Sequence, residues 1–249
     1  SNTGYVENLN NEKDILTFSD ETTYTQTSNT TLKITDNTNT ITIVDYTTNN
    51  IPKVAVNQVL DTIEDKTLYV QDMTSFSAEN TVFKNVNILG TTNNDNYTGS
   101  TGNDIIEAGK GNDTITTKSG TDTIIFNSGD GEDTLSDVDS LDTIKFNDVQ
   151  FNQLTFTRNQ NDLEITNSVN TDDKVIIQGF FTNTTNAINA IITSDSEAAH
   201  SIISEAIINV DLSTHSTETA PYSATNYNEV FSNTGYVENL NNEKDILTF

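Results

Sequence analysis

The chain has 249 residues, 37 of them acidic and 11 basic, for a formal net charge of −26. That excess repels phosphate-bearing partners, which makes nucleic acid and anionic membranes poor candidates and a cation the obvious counter-ion. There is no cysteine, so neither disulfides nor thiolate–metal chemistry hold the fold, and no run of eighteen apolar residues is present to read as a membrane-spanning helix.

Residues 1–89 read as a β-rich first half. Residues 14–18 (DILTF) form a predicted strand, and a turn-rich stretch follows to Asn29. Residues 31–35 alternate apolar and polar, residues 36–39 look like a turn, and residues 41–46 return, which predicts a hairpin. Residues 54–59 and 67–70 are short apolar runs. Residues 82–89 lead as a strand into the most regular part of the chain.

From Gly90 the sequence falls into nines: GTTNNDNYT (90–98), GSTGNDIIE (99–107), AGKGNDTIT (108–116), TKSGTDTII (117–125). Asp95, Asp104, Asp113 and Asp122 keep the beat, each followed two places later by Tyr97, Ile106, Ile115 or Ile124. Nine is not a multiple of 3.6, so a helix would scatter these residues around its surface. A turn plus a short strand uses about nine residues, and two such units close one flattened coil of about eighteen. Coils then stack as parallel strands about 4.8 Å apart with the apolar residue inward. Asp95 is thereby brought near Asp113, and Asp104 near Asp122. Two bare carboxylates at about 5 Å repel by roughly 3 kcal/mol at an effective dielectric of 20. Such a stack calls for a cation, and hard oxygen donors at glycine-opened turns suit Ca²⁺. The competing reading is four aspartate-bearing turns in an ordinary β-protein.

These units resemble the RTX nonapeptide of secreted bacterial proteins, Gly-Gly-x-Gly-x-Asp-x-apolar-x. GSTGNDIIE and AGKGNDTIT each keep two of the three glycines; TKSGTDTII keeps Gly120; Asn93 replaces a glycine in the first unit and is expected to tolerate positive φ. The resemblance implies a parallel β-roll over residues 90–146, two to four Ca²⁺ ions, and type I secretion to the bacterial cell surface or matrix. The metal-site residues expected are Asp95, Gly102, Asp104, Gly109, Gly111, Asp113, Gly120 and Asp122. After the roll comes GDGEDTLSD, and the Asp-x-apolar beat resumes at Asp133 and Asp142 after a shift of two residues. Asp130 and Asp133 either add an ion site or are surface acids.

Residues 147–231 read as a β flank closed by a helix and a loop. The wording of the first half recurs: residues 142–146 match 14–18, 162–166 match 31–35, and 175–180 match 41–46. Ser194-x-x-Glu197 is a capping-box signature. Ala198, Ala199, Ile202, Ile203, Ala206 and Ile207 repeat at three and four, predicting a short α-helix near 195–209 that covers strand edges. Residues 211–226 read as loop, and residues 226–235 as a worn copy of the roll's flank.

Residues 232–249 repeat residues 1–18 letter for letter, at an offset of 231. The simplest reading is a tandem array in which 232–249 begin the next unit. If 232–249 complete a roll begun near Ala224, then 1–18 complete that of the preceding unit. The partners expected are Ca²⁺ and neighbouring copies of the same repeat.

The catalytic inventory is thin: two histidines, His200 and His215, with no zinc-protease, serine-nucleophile or phosphate-loop motif. The expectation is a non-enzymatic, mainly β, calcium-binding structural repeat of a long surface fibre, adhesin stalk or layer. The alternatives are a glycan- or ice-binding module, for which residues 50–53 are a poor calcium-lectin loop, and the non-catalytic region of a secreted toxin or enzyme.

Overall fold

The computed structural model describes residues 3–6, 15–18, 21–37, 39–44, 53–56, 59–60, 63–182, 187–203, 220–222 and 245–247. It divides into two compact units, Ser1–Asp122 and Thr123–Phe249. Both are mainly β, built on parallel solenoid coils, as expected, and the described residues contain only three short 3₁₀ turns besides strands.

The first unit opens with β1 (Thr3–Val6) and β2 (Ile15–Phe18), then a meander of β3 (Thr23–Ser28), β4 (Thr31–Thr35) and β5 (Thr40–Val44). β6 (Lys53–Val56) and β7 (Val59–Leu60) follow. The coils are β8 (Thr67–Gln71) with β9 (Ser75–Ser77), β10 (Asn85–Thr91) with β11 (Asn96–Thr98), and β12 (Ile105–Gly109) with β13 (Thr114–Thr116). One sheet of this unit runs β1, β5, β4, β3, β8, β10, β12; the facing one runs β9, β11, β13. The eighteen-residue coil is explicit in the register: Ile88 pairs with Ile106 and Tyr97 with Ile115, both in parallel. Alternation explains the core. Ile88, Tyr97, Ile106 and Ile115 are buried, while their hydroxyl, amide and acidic neighbours face outward. The roll also begins one coil before the nonapeptides, because β8 pairs with β10 and β9 with β11, burying Val70 and Phe76.

The second unit contains β14 (Thr123–Phe126), β15 (Glu132–Ser136), β16 (Thr143–Phe146), a meander of β17 (Leu154–Asn159), β18 (Asp162–Asn167) and β19 (Lys174–Ile177), then β20 (Ala187–Thr193), β21 (Ser196–Ile203), β22 (Ala220–Tyr222) and β23 (Asp245–Leu247). β14 pairs in parallel with β16, Ile124 against Ile144. The two-residue slip of the Asp beat is thus a coil two residues longer than those before it.

The recurring wording of the two halves is a recurring structure. In β4–β5, Leu32 faces Ile43 and Ile34 faces Ile41; in β18–β19, Leu163 faces Ile177 and Ile165 faces Val175. The preceding strands agree as well, with Tyr24 opposite Ile34 and Phe156 opposite Ile165. The outlets differ: β3 joins the coil strand β8 that follows, whereas β19 joins β15 that precedes.

Three expectations are corrected. The helix near 195–209 is not formed: β21 (Ser196–Ile203) runs antiparallel to β20, joined by a tight turn at Ser194-Asp195. The spacing of its apolar residues fits either period over so short a run. The β-branched isoleucines and a partner strand of Ile188 and Ile191 favour the sheet. The Asp195 carboxylate accepts from Phe151 N (3.0 Å) and Thr193 Oγ1 (2.9 Å), turn chemistry in place of a helix cap. Residues 204–209 lie outside the described residues. The supposed turn-rich stretch before Asn29 contains β3, and the supposed loop at 211–226 contains β22. Within the chain, residues 3–6 and 15–18 pair with β5 and β6, which follow them. The proposed worn copy at 226–235 lies outside the described residues.

Candidate metal centre

The turns between coil strands hold the acidic residues. Asp95, Asp104, Asp113 and Asp122 are 3%, 1%, 1% and 0% exposed. A carboxylate that deep must be paired or hydrogen-bonded, and the coil period supplies the bonds. The Asp113 carboxylate accepts the backbone N–H of Asp95 at 2.7 Å through Oδ1. That of Asp122 accepts Asp104 N at 2.8 Å, and that of Asp104 accepts Val86 N at 2.8 Å. Each donor lies eighteen residues before its acceptor, one coil back. Asp95 and Asp113 thus share one edge of the roll, and Asp104 and Asp122 the other, as the spacing requires.

A second ladder runs beside the first in the opposite sense. Oδ1 of Asn85, Asn94 and Asn103 accepts the backbone N–H of Asn103, Asn112 and Thr121 at 2.9, 2.9 and 3.0 Å. The Asn-Asp dipeptide therefore ties each turn both forward and back. The signal was present in the sequence as an asparagine before three of the four aspartates, but it reads there only as a turn preference.

Two hydroxyls were also missed. Thr91 binds Asp95 through N (2.7 Å) and Oγ1 (2.9 Å), and Ser100 binds Asp104 through N and Oγ (both 2.6 Å). They stand four residues before their aspartates, where the third and fourth repeats carry Gly109 and Lys118. Tyr97 replaces the aliphatic core residue of its repeat. Its hydroxyl lies between the Met73 carbonyl and Asp95 Oδ2, 2.9 Å from the latter. Burial, then the hydrogen bond to Asp95, pushes the Tyr97 phenol above its ordinary range, so it stays a donor.

The glycines mark where coils touch. A Cβ on Gly111 would meet the Asn93 carbonyl oxygen at 2.3 Å, and one on Gly120 the Gly102 carbonyl oxygen at 2.1 Å. Gly102 in turn lies against Lys84 O and Gly109 against Thr91 O. Backbone carbonyls of adjacent turns are therefore crowded beside the carboxylates. Asn93 does not adopt the positive φ expected of it; Lys118 does, at 76°.

Asp130 and Asp133 are buried in the second unit, so they are not surface acids. Asp130 accepts Asn127 N at 2.7 Å. Nearby, Asp173, an unpredicted member, accepts Gly129 N (2.9 Å), Gly131 N (3.2 Å) and Asn167 Nδ2 (3.1 Å).

The donor set fits calcium in kind: buried carboxylates one coil apart on each edge of the roll and backbone carbonyls, with oxygen throughout. Among the described residues no three His, Asp or Glu side chains gather to chelate an ion by themselves. A cation here would draw on two aspartates and main-chain oxygens.

Burial holds the Asp104 carboxyl above the ordinary value of 3.8, against the pull of hydrogen bonds from Ser100 and Val86. A carboxyl with a higher pKa folded than unfolded takes up a proton on folding. Its stabilising effect is full below the unfolded value and is lost as pH rises through the folded one. In EGTA, acidifying toward the ordinary carboxylate range is therefore expected to increase the β signal followed by circular dichroism. In calcium the trend reverses, because the ion needs the carboxylate. A β signal in EGTA that does not grow with acid would contradict this account.

Comparison with known families agrees with the geometry. Residues 89–124 match the RTX calcium-binding nonapeptide repeat in four copies. No curated protein matches the chain. This segment is a calcium-binding repeat region.

Proposed function

We propose that this RTX-type repeat protein is a calcium-gated structural unit of a long, secreted bacterial surface protein, a stiff segment of a fibre, adhesin stalk or layer, and not an enzyme. The observation that carries the reading is the pairing of buried aspartates one coil apart on both edges of the roll. Asp95 with Asp113, and Asp104 with Asp122, would hold the ions together with carbonyls at Gly102, Gly109, Gly111 and Gly120. Asp130 and Asp133 would supply a further place. When bound, the ion neutralises these paired carboxylates. The chain's own residues orient them through the N–H ladder, and the coil cores of Ile88, Ile106 and Ile115 exclude water beneath them.

Gating follows from linkage. Where free calcium is scarce, the paired charges oppose coil stacking and the chain travels as a thread. At extracellular calcium only the folded form binds, and each site at a hundred times its dissociation constant adds about 2.7 kcal/mol. Two sites shift a domain whose whole stability is about 5–15 kcal/mol.

The test is circular dichroism and light scattering of the 249-residue chain in EGTA and then in stepwise calcium. A coil-to-β transition near millimolar calcium is expected, with growth in particle size if copies assemble. A chain fully folded in EGTA that binds no calcium would defeat the proposal.

A further inference from the structure

The two identical octadecapeptides, residues 1–18 and 232–249, do not have the same partners. In the first copy, β1 lies parallel to β5 with Thr3 against Thr40 and Val6 against Ile43, and β2 lies parallel to β6 with Ile15 against Lys53 and Phe18 against Val56. Among the described residues both are edge strands: β1 ends its sheet beyond β5, and β2 ends the sheet it forms with β6 and β7. In the second copy the tripeptide Asp245–Leu247, identical to residues 14–16, runs antiparallel to β22, which precedes it. That pairing is three residues long and centred on Pro221 against Ile246. Proline has no N–H to give the ladder, so this is a poor seat for a strand. The first copy has four register pairs on each of two acceptor strands.

We infer that the octadecapeptide is a coupling strand pair that belongs structurally to the unit after it, and that residues 232–249 of one copy exchange for the identical residues 1–18 on β5 and β6 of a second copy. The occupant is specified by identity. Whatever side-chain and register preferences seat residues 3–6 on β5 and 15–18 on β6 are met letter for letter by residues 234–237 and 246–249. Strand addition at a sheet edge takes its affinity from main-chain hydrogen bonds and its selectivity from side chains. Because the donor patch differs from the acceptor patch, the contact is head-to-tail and continues from copy to copy instead of closing a two-fold dimer. The inference deepens the reading of a repeat that joins its neighbours. It does not depend on where calcium binds, since neither β1, β2, β5 nor β6 belongs to the nonapeptide turns.

The 249-residue sequence has no cysteine, which gives a clean trap. Tyr5 and Thr42 are register partners, and neighbouring strands lie about 4.8 Å apart, within reach of a disulfide. Tyr236 is the second-copy counterpart of Tyr5. In calcium under mild oxidation, Thr42→Cys/Tyr5→Cys is expected to close within the monomer. Thr42→Cys/Tyr236→Cys is expected to accumulate a ladder of linked multimers, several-fold more than the out-of-register Thr42→Cys/Glu238→Cys. An excess of the free peptide SNTGYVENLNNEKDILTF should suppress the ladder. Multimers that form equally in and out of register, a 42–236 link confined to monomers, or no link at all while the 5–42 pair closes would each overturn the inference. So would failure of the 5–42 pair in a chain whose calcium-dependent β signal is intact. Loss of the calcium response with the trap still working would instead count against the cation reading alone.

Discussion

Asp113→Asn is expected to fold more readily than the parent chain in EGTA and to lose most of its response to calcium, whereas Asp113→Ala loses the calcium response as well and folds less readily in EGTA than Asp113→Asn. The carboxylate does two jobs that these substitutions separate. Its Oδ1 accepts the buried N–H of Asp95 one coil back, and its charge lies one coil from that of Asp95 on the same edge. Asparagine keeps an acceptor in place and removes the charge, which relieves a repulsion of up to roughly 3 kcal/mol at an effective dielectric of 20. Alanine strands the Asp95 N–H, which costs about 1–3 kcal/mol. For both variants the calcium midpoint of the β transition should rise by about tenfold or more, equivalent to about 1.4 kcal/mol of lost binding. The β signal in EGTA and calcium titrations by circular dichroism read the two effects apart. If Asn and Ala behave alike in EGTA, the ladder contributes nothing; if neither shifts the calcium midpoint, Asp113 holds no ion.

Gly111→Val should abolish the cooperative β transition at any calcium concentration. Gly111 sits at φ +129°, a region closed to β-branched residues. A Cβ there would stand 2.3 Å from the Asn93 carbonyl oxygen and 2.6 Å from its carbon, both rigid backbone. The strained backbone alone costs about 1–3 kcal/mol, and the clash can be relieved only by parting the coils, which breaks both ladders. The sum approaches the whole stability of a small domain, about 5–15 kcal/mol. Gly129→Ala is the control. Gly129 also has positive φ, at +95°, but the nearest atom to its Cβ is Asn170 Nδ2 at 4.0 Å. It should lose about 1–2 kcal/mol and keep its transition. Equal melts for the two variants would show that inter-coil contact at Gly111 is not what limits the fold.

The nine-residue beat was enough, by itself, to determine the coil. A period that is not helical, with a β-former two places after each aspartate, leaves one regular solution. The observed register of Ile88 with Ile106 and Tyr97 with Ile115 is that solution. The paired meanders were legible for the same reason, because alternation fixes which side of a strand is buried and a one-residue slip would turn the core outward. What the sequence left open was decided by partners far away in the chain. Residues 198–203 carry apolar spacing compatible with a helix, and only the neighbouring β20 made them a strand. The aspartates looked like turn-edge acids. Their depth, the opposed Asn and Asp ladders, and the hydroxyl of Tyr97 on Asp95 arise only when coils stack and bring backbone N–H groups to them. The identical octadecapeptides make the division plain. One sequence forms parallel strands beside β5 and β6 in one copy and an antiparallel strand beside β22 in the other. A strand's local preferences set which residues alternate; the strand it pairs with sets its direction and register, because all of its ladder hydrogen bonds are made with another part of the chain.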